Sequence, residues 1–297
     1  MKKHALRLPV IRVVAVVLGL CGLSAAMRAE TLASPWVEGY NNKVRLIAGR
    51  ASLRGMVPAA ALVGVEIVMP SGWKTYWRNP GEAGGVPPEF DWSGSENLGH
   101  VYIAYPAPHR FSDKSGQTIG YKEHVIFPAW IYQTDLSKPV KLKLKASYGA
   151  CKELCVPAEA ALELNVPGTL GASAELDEVA STVPELDYGD VPPAGKFAFA
   201  DPKKDPRLKT SRVDDASGKP KLVLEVTDPG VTGGDAFLYS PEGLYLPLPK
   251  KISEANGSAV YEADLSDGVD FKALKAKGVG VVLTGAKGQS ETIIQIP

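Results

Sequence analysis

The chain has 297 residues, 33 basic against 33 acidic side chains, 45% hydrophobic residues and three cysteines. A formally neutral chain with no basic run and no aromatic-interleaved basic patch argues against nucleic acid as a partner. At about 100 to 200 residues per domain the length allows two domains, each able to bury a core without disulfide staples.

Residues 1–26 have the pattern of an export leader. Lys2, Lys3, Arg7 and Arg12 precede an apolar run from Val13 to Leu23, and Ser24-Ala25-Ala26 fit a small-x-small cleavage site. The run is well short of the roughly 20 residues a membrane span requires. Leu20 precedes Cys21 where a lipoprotein signal takes a small residue, which argues against a lipid anchor. Without the leader the chain is about four charges negative. No later segment is comparably apolar, so a periplasmic mature protein that does not span the membrane is expected.

From Lys43 to Val166 the pattern is one of short strands punctuated by Gly and Pro. Val44, Leu46 and Ala48 alternate imperfectly with their neighbours, and Ala61 to Met69 is an apolar, β-branched run. The stretch from Gly72 to Pro88 is aromatic and then turn-rich; its tryptophans fit a core better than a groove, and its Pro and Gly residues fit turns. The clearest alternation places Val140, Leu142, Leu144, Ala146 and Tyr148 on one face and Lys141, Lys143, Lys145 and Ser147 on the other. That is a half-buried antiparallel strand. Leu162, Leu164 and Val166 mark its successor.

Between those two strands lies Tyr148-Gly149-Ala150-Cys151-Lys152-Glu153-Leu154-Cys155-Val156-Pro157-Ala158-Glu159. It carries the two cysteines outside the leader. Three intervening residues let the thiols meet on a helical turn or across a tight loop. So short a loop gives a weak staple, on the order of 2 kcal/mol by loop entropy. A redox-active pair, an inert local disulfide and a soft-metal site for Cu(I) or Zn(II) all remain open from the cysteines alone. Lys152 favours a thiolate and Glu153 opposes it. Pro157 stiffens the exit.

Pro167-Gly168-Thr169-Leu170-Gly171 opens a linker over residues 167–195, with a short helix at Ala174 to Val183 ended by Pro184. A second all-β sandwich is expected over 196–297, from strands at Phe197 and Phe199; Leu222, Leu224 and Val226; Phe237 to Tyr239; Leu244 to Leu248; Val260 to Leu265; Val279 to Leu283; and Ile293 to Ile296. Phe271 to Lys277 reads as a helix, with Asp270 as N-cap and Gly278 as its stop. This half carries no cysteine, histidine or metal-ligand spacing, so its role reads as docking or structural. His100, His109 and His124 form no ligand pattern. Hydrolase, kinase and dinucleotide signatures are missing, and no cofactor is implied.

Four stretches carry a family resemblance: Trp73 to Trp92; Pro106-Ala107-Pro108-His109-Arg110-Phe111; Gly120-Tyr121-Lys122; and Tyr148-Gly149-Ala150-Cys151 with Cys155-Val156-Pro157-Ala158-Glu159. Together, across Trp36 to Val166, they resemble the N-terminal periplasmic domain of the thiol:disulfide interchange protein DsbD. The resemblance implies an immunoglobulin-like β-sandwich with one redox-active cysteine pair. It implies electrons received from a membrane-embedded thiol reductase and passed to periplasmic thiol:disulfide proteins, in the setting of cytochrome c biogenesis. By the same resemblance Cys155 forms mixed disulfides and Cys151 resolves them. Well-known members place more than three residues between the cysteines, which leaves the attacking sulfur open. They also carry membrane and thioredoxin-like parts that have no counterpart here, so the electron source is expected to be another protein.

In that family an aromatic-bearing loop covers the cysteines until a partner displaces it. The corresponding stretch is His109 to Gly116, with Phe111 as candidate lid and Ser112, Ser115 and Gly116 lending mobility. Without the resemblance, Phe111 reads as a core residue at a strand end.

Overall fold

Strand alternation builds two β-sandwiches, seen in a computed structural model that describes residues 31–50, 61–114, 116–183, 205–227, 234–241, 243–285 and 288–296. The expected leader and the strand at Phe197 and Phe199 lie outside these residues. The first sandwich comprises β1 (Leu32–Ala33), β2 (Val37–Gly39), β3 (Asn42–Gly49), β4 (Ala61–Val68), β5 (Lys74–Tyr76), β6 (Glu89–Asp91), β7 (Leu98–Ile103), β8 (His109–Asp113), β9 (Gly116–Lys122), β10 (His124–Gln133), β11 (Val140–Cys151) and β12 (Cys155–Val166). One sheet runs β1-β3-β4-β10-β7 with β2 on β3, and the other runs β12-β11-β5-β9-β8 with β6 on β11. The fold class is all-β, as the sequence indicates.

The inward set of β11, Val140, Leu142, Leu144, Ala146 and Tyr148, meets Val44, Leu46, Val65, Ile67 and Phe127 of the facing sheet. Its lysines point outward. Two strands of the first sheet, β4 and β10, carry apolar residues on both faces where a helix covers the outer one. That helix, α1 (Ala174–Ser181), is capped by the Ser173 side chain, which accepts from the Leu176 N–H. Leu176 and Ala180 pack on Ile47, Leu62, Ile126 and Trp130.

The second sandwich contains β13 (Leu208–Asp214), β14 (Lys221–Thr227), β15 (Asp235–Tyr239), β16 (Lys250–Ala255), β17 (Ser258–Asp264), α2 (Phe271–Lys277), β18 (Val279–Thr284) and β19 (Ser290–Ile294). Its sheets run β13-β14-β17-β16 and β15-β18-β19. At α2 the Asp270 side chain accepts from the Ala273 N–H, and Gly278, at φ 79°, ends the helix. Two strands that no alternation marks, β13 and β16, are sheet edges with mostly exposed side chains. The expected strand at Leu244 to Leu248 forms no ladder. Leu246 and Leu248 are buried in different cores, and the Leu246 carbonyl accepts instead from Asn79.

The sandwiches share apolar surface, since Phe237, Tyr239, Leu248 and Val282 belong to the core of the first. Phe237 and Val282 are register partners, and Tyr239 pairs with Gly280. A Cβ on Gly280 would stand 2.0 Å from the Tyr239 ring, so glycine allows that aromatic to lie across its neighbour. At one end of the contact Arg110 donates to both carboxylate oxygens of Asp235, at 2.8 and 3.0 Å.

Candidate functional site

The β11–β12 ladder is in register over its whole length, from Val140 opposite Val166 to Cys151 opposite Cys155. This selects the tight loop over the helical turn. The connection is the three residues Lys152, Glu153 and Leu154, with the Lys152 N–H donating to the Leu154 carbonyl at 3.2 Å. Residues directly opposite on antiparallel strands bring their side chains together, and Cys151 and Cys155 are joined in a disulfide with Cα atoms 4.1 Å apart.

Alternation decides which way the pair faces. Tyr148 and Ala150 point into the core, so Gly149 and Cys151 lie on the outer face of the sheet. Cys151 is only 2% exposed, whereas Cys155 is exposed on the edge strand. Leu154, 80% exposed at the tip of the turn, presents apolar surface beside it.

The neighbouring strand β5 supplies a group that sequence reasoning missed. Lys74 pairs with Cys151, and two residues on, the Tyr76 hydroxyl lies 2.7 Å from the Cys155 Sγ. Tyr76 is 4% exposed. Glycines make room for its ring: a Cβ on Gly85 would come within 2.4 Å of it, and one on Gly149 within 3.2 Å. The Gly149 N–H donates to the Val86 carbonyl at 3.0 Å, tying this stretch to β11. The aromatic run from Trp73 to Trp77 was the available signal. Period-two alternation divides it, so that Trp77 fills the core while Tyr76 reaches the cysteines.

Tyr148 supports the hairpin from below. Its hydroxyl donates to the Asn42 side-chain oxygen at 2.7 Å, linking the two sheets, and burial pushes the phenol pKa well up. Pro157 sits opposite Gly149 on the edge strand, where a missing N–H breaks no ladder. Lys152 extends over the Gly72 turn.

Phe111 lies on β8 opposite Thr118, so the stretch read as a mobile loop is mostly strand. Its half-buried ring is 6.4 Å from His109 and 4.7 Å from the Lys122 ammonium. Two strands, β5 and β9, separate β8 from β11. The histidines are dispersed: His100 is beside Tyr132, His109 beside Phe111, and His124 contacts Glu66. Among the described residues no group of three or more His, Cys, Asp or Glu side chains converges on a metal-sized site.

A buried cysteine bonded to an exposed one, with a phenol hydroxyl on the sulfur of the second, is an arrangement suited to thiol exchange. Residues 50–167 match the family model described as thiol:disulfide interchange protein DsbD, N-terminal. The match begins after β3 and ends one residue past β12, so it covers β4 to β12 of the first sandwich, and a second β-sandwich follows. No curated protein matches the chain. The crystal structure of the N-terminal periplasmic domain of ScsB from Proteus mirabilis superposes with a TM-score of 0.64 at 20% identity, covering 90% of this chain and 99% of that one. That likeness concerns the fold, and its coverage takes in both sandwiches.

Proposed function

We propose that the protein is a periplasmic thiol:disulfide exchange module that passes electrons between a membrane-embedded thiol reductase and periplasmic thiol proteins through Cys151 and Cys155. The observation that carries this reading is the contrast between the two cysteines, Cys155 exposed with a hydroxyl on its sulfur and Cys151 buried. A reductant thiolate attacks the Cys155 Sγ, forms a mixed disulfide with it and expels the Cys151 thiolate. The reductant's second thiol then attacks its own sulfur in that mixed disulfide. Its disulfide forms, and Cys155 leaves as a thiolate, with two electrons now on the pair. In the outgoing direction the Cys155 thiolate attacks a partner disulfide, and Cys151 resolves the mixed species by re-forming the internal bond.

The Tyr76 hydroxyl serves both directions. It donates to the developing thiolate on Cys155, and a hydrogen bond to a charged acceptor is stronger than one to a neutral sulfur. The match to the DsbD N-terminal model over residues 50–167 supports this chemistry. The leader pattern in residues 1–26 supports export. Among the described residues no helix is long and apolar enough to cross a membrane.

Equilibrating the protein with glutathione and counting alkylated thiols by mass tests the reading. A reversible transition in which Cys151 and Cys155 gain or lose two labels together is expected. A pair that stays locked or stays reduced under all buffers would sink it.

A further inference from the structure

The redox pair and the second sandwich are joined through one short piece of chain. Tyr76 touches Cys155, and the residues that follow it, 77–82, lie between the second sandwich and β9, where the Trp77 N–H donates to the Ile119 carbonyl and the Ile119 N–H to the Pro80 carbonyl. Trp77 stands edge-on to Phe237 and Tyr239, at centroid distances of 6.0 and 5.8 Å. The Arg78 guanidinium lies 4.1 Å from the Tyr239 ring centroid and donates to both carboxylate oxygens of Glu291, at 3.3 and 3.2 Å. The Tyr239 hydroxyl donates to the same carboxylate, which is almost wholly buried. Asn79 donates to the carbonyls of Leu238 and Leu246 at 2.8 and 3.1 Å.

From there the chain doubles back. Gly81, at φ 97°, turns it against Leu248, and four residues later Gly85 packs against the Tyr76 ring. A loop that starts at Tyr76 thus ends on the ring of Tyr76. Its near end meets the cysteines and its far end is held by the other sandwich. Arg78 follows Tyr76 by two residues, at the bend just after β5, so a shift at Arg78 acts on the backbone that carries the Tyr76 ring. Hydrogen bonds weaken steeply with misalignment, and the hydroxyl's 2.7 Å contact with sulfur would not survive a large displacement.

We propose that the second sandwich positions the redox site: the Glu291–Arg78 pair anchors residues 77–82 and thereby keeps the Tyr76 hydroxyl on the Cys155 sulfur. This rests on the thiol-exchange reading above. Arg78 and Glu291 touch neither sulfur, so they are positioning residues. Loosening them removes the donor from the Cys155 thiolate and disfavours the reduced pair. The Arg110–Asp235 pair holds the same two sandwiches together at β8, away from Tyr76, and supplies the comparison that separates positioning from simple docking.

The experiment equilibrates the full chain with glutathione. Reduction breaks the Cys151–Cys155 bond, forms glutathione disulfide, and leaves two electrons and two protons on the cysteine sulfurs. Glu291→Gln is expected to shift the equilibrium toward the disulfide about threefold to tenfold, the range a residue coupled through a network produces. Tyr76→Phe shifts it the same way, and in that background Glu291→Gln adds nothing, because both act through one hydroxyl. Asp235→Asn is expected to shift it less than Glu291→Gln, since Arg110 reaches residues 77–82 only at second hand, through Phe237 and Gln117. Tyr239→Phe keeps the ring on Arg78 and removes only the hydroxyl on Glu291; it gives the same direction of shift and serves if Glu291→Gln fails to fold.

An unchanged equilibrium in both Glu291→Gln and Tyr239→Phe overturns the proposal. So does full additivity with Tyr76→Phe, or an equal shift in Asp235→Asn. If the unaltered pair does not equilibrate with glutathione at all, the exchange reading fails separately. The positioning claim is then decided on phosphine-reduced protein by the alkylation rate of Cys155. That rate falls in Tyr76→Phe and Glu291→Gln if the claim holds, and stays level in both if it does not.

Discussion

The hydroxyl oxygen of Tyr76 lies 2.7 Å from the sulfur of Cys155, 79 residues away in sequence. In the disulfide that hydroxyl faces a weak neutral acceptor, and once the bond opens it can donate to the thiolate that forms on Cys155. The contact therefore favours reduction, and Tyr76→Phe should shift the glutathione equilibrium toward the disulfide. A hydrogen bond to a charged group contributes about 1.5 to 3 kcal/mol, or roughly tenfold to a hundredfold in the equilibrium constant. An unchanged constant would show that the phenol only fills space.

The proposed roles follow the burial of Cys151 and the exposure of Cys155, and they predict an order of action. Cys151→Ala leaves the exposed sulfur without its resolving partner and should accumulate mixed disulfides with periplasmic proteins, visible on non-reducing gels. Cys155→Ala should accumulate few, because its remaining thiol is only 2% exposed. The reverse pattern would mean that the roles are exchanged in this three-residue hairpin.

Phe111 provides a test between shielding and packing. With β5 and β9 between its strand and β11, Phe111→Ala should leave the alkylation rate of reduced Cys155 unchanged. Removing a half-buried ring should cost about 1 to 2 kcal/mol of stability in denaturant unfolding. Faster alkylation without loss of stability would restore the lid that the family resemblance implies.

A pH-dependent contribution to stability comes from the outer face of the first sheet. Glu66 accepts from Arg45 Nε at 2.6 Å and lies 3.0 Å from His124 Nε2. Burial by itself raises the Glu66 pKa, but the hydrogen bonds from His124 and Arg45 outweigh it, and the carboxyl is held below its ordinary value of 4.5. A carboxyl lowered on folding contributes stability that is present above its unfolded pKa and lost as the pH falls through the folded one. Glu66→Gln should therefore destabilise the protein by roughly 1.5 to 3 kcal/mol at neutral pH. The gap should narrow once the pH drops below 4.5. A gap independent of pH in paired unfolding curves would rule this out.

Much of the architecture is legible in local pattern. The alternation from Val140 to Tyr148 marks β11 and which of its faces is buried, because a strand's side chains alternate however the rest of the chain folds. Asp270 and Gly278 mark both ends of α2, since capping is satisfied within a few residues. The edge strands β13 and β16 are not legible: with no buried face they carry no apolar period.

The site divides in the same way. Two cysteines with three residues between them can meet locally, so their spacing alone shows that they can pair, and the resemblance of the surrounding residues to DsbD points to what the pair does. Which sulfur faces solvent depends on the register of β11 with β12 and on the pleat, which only the folded sheet decides. The placement of Tyr76 on Cys155, and of Glu291 on Arg78 across 213 residues, depends on strand order and on the packing of one sandwich against the other. Such contacts leave no trace in local sequence, because the energy that selects them comes from burial shared between distant segments.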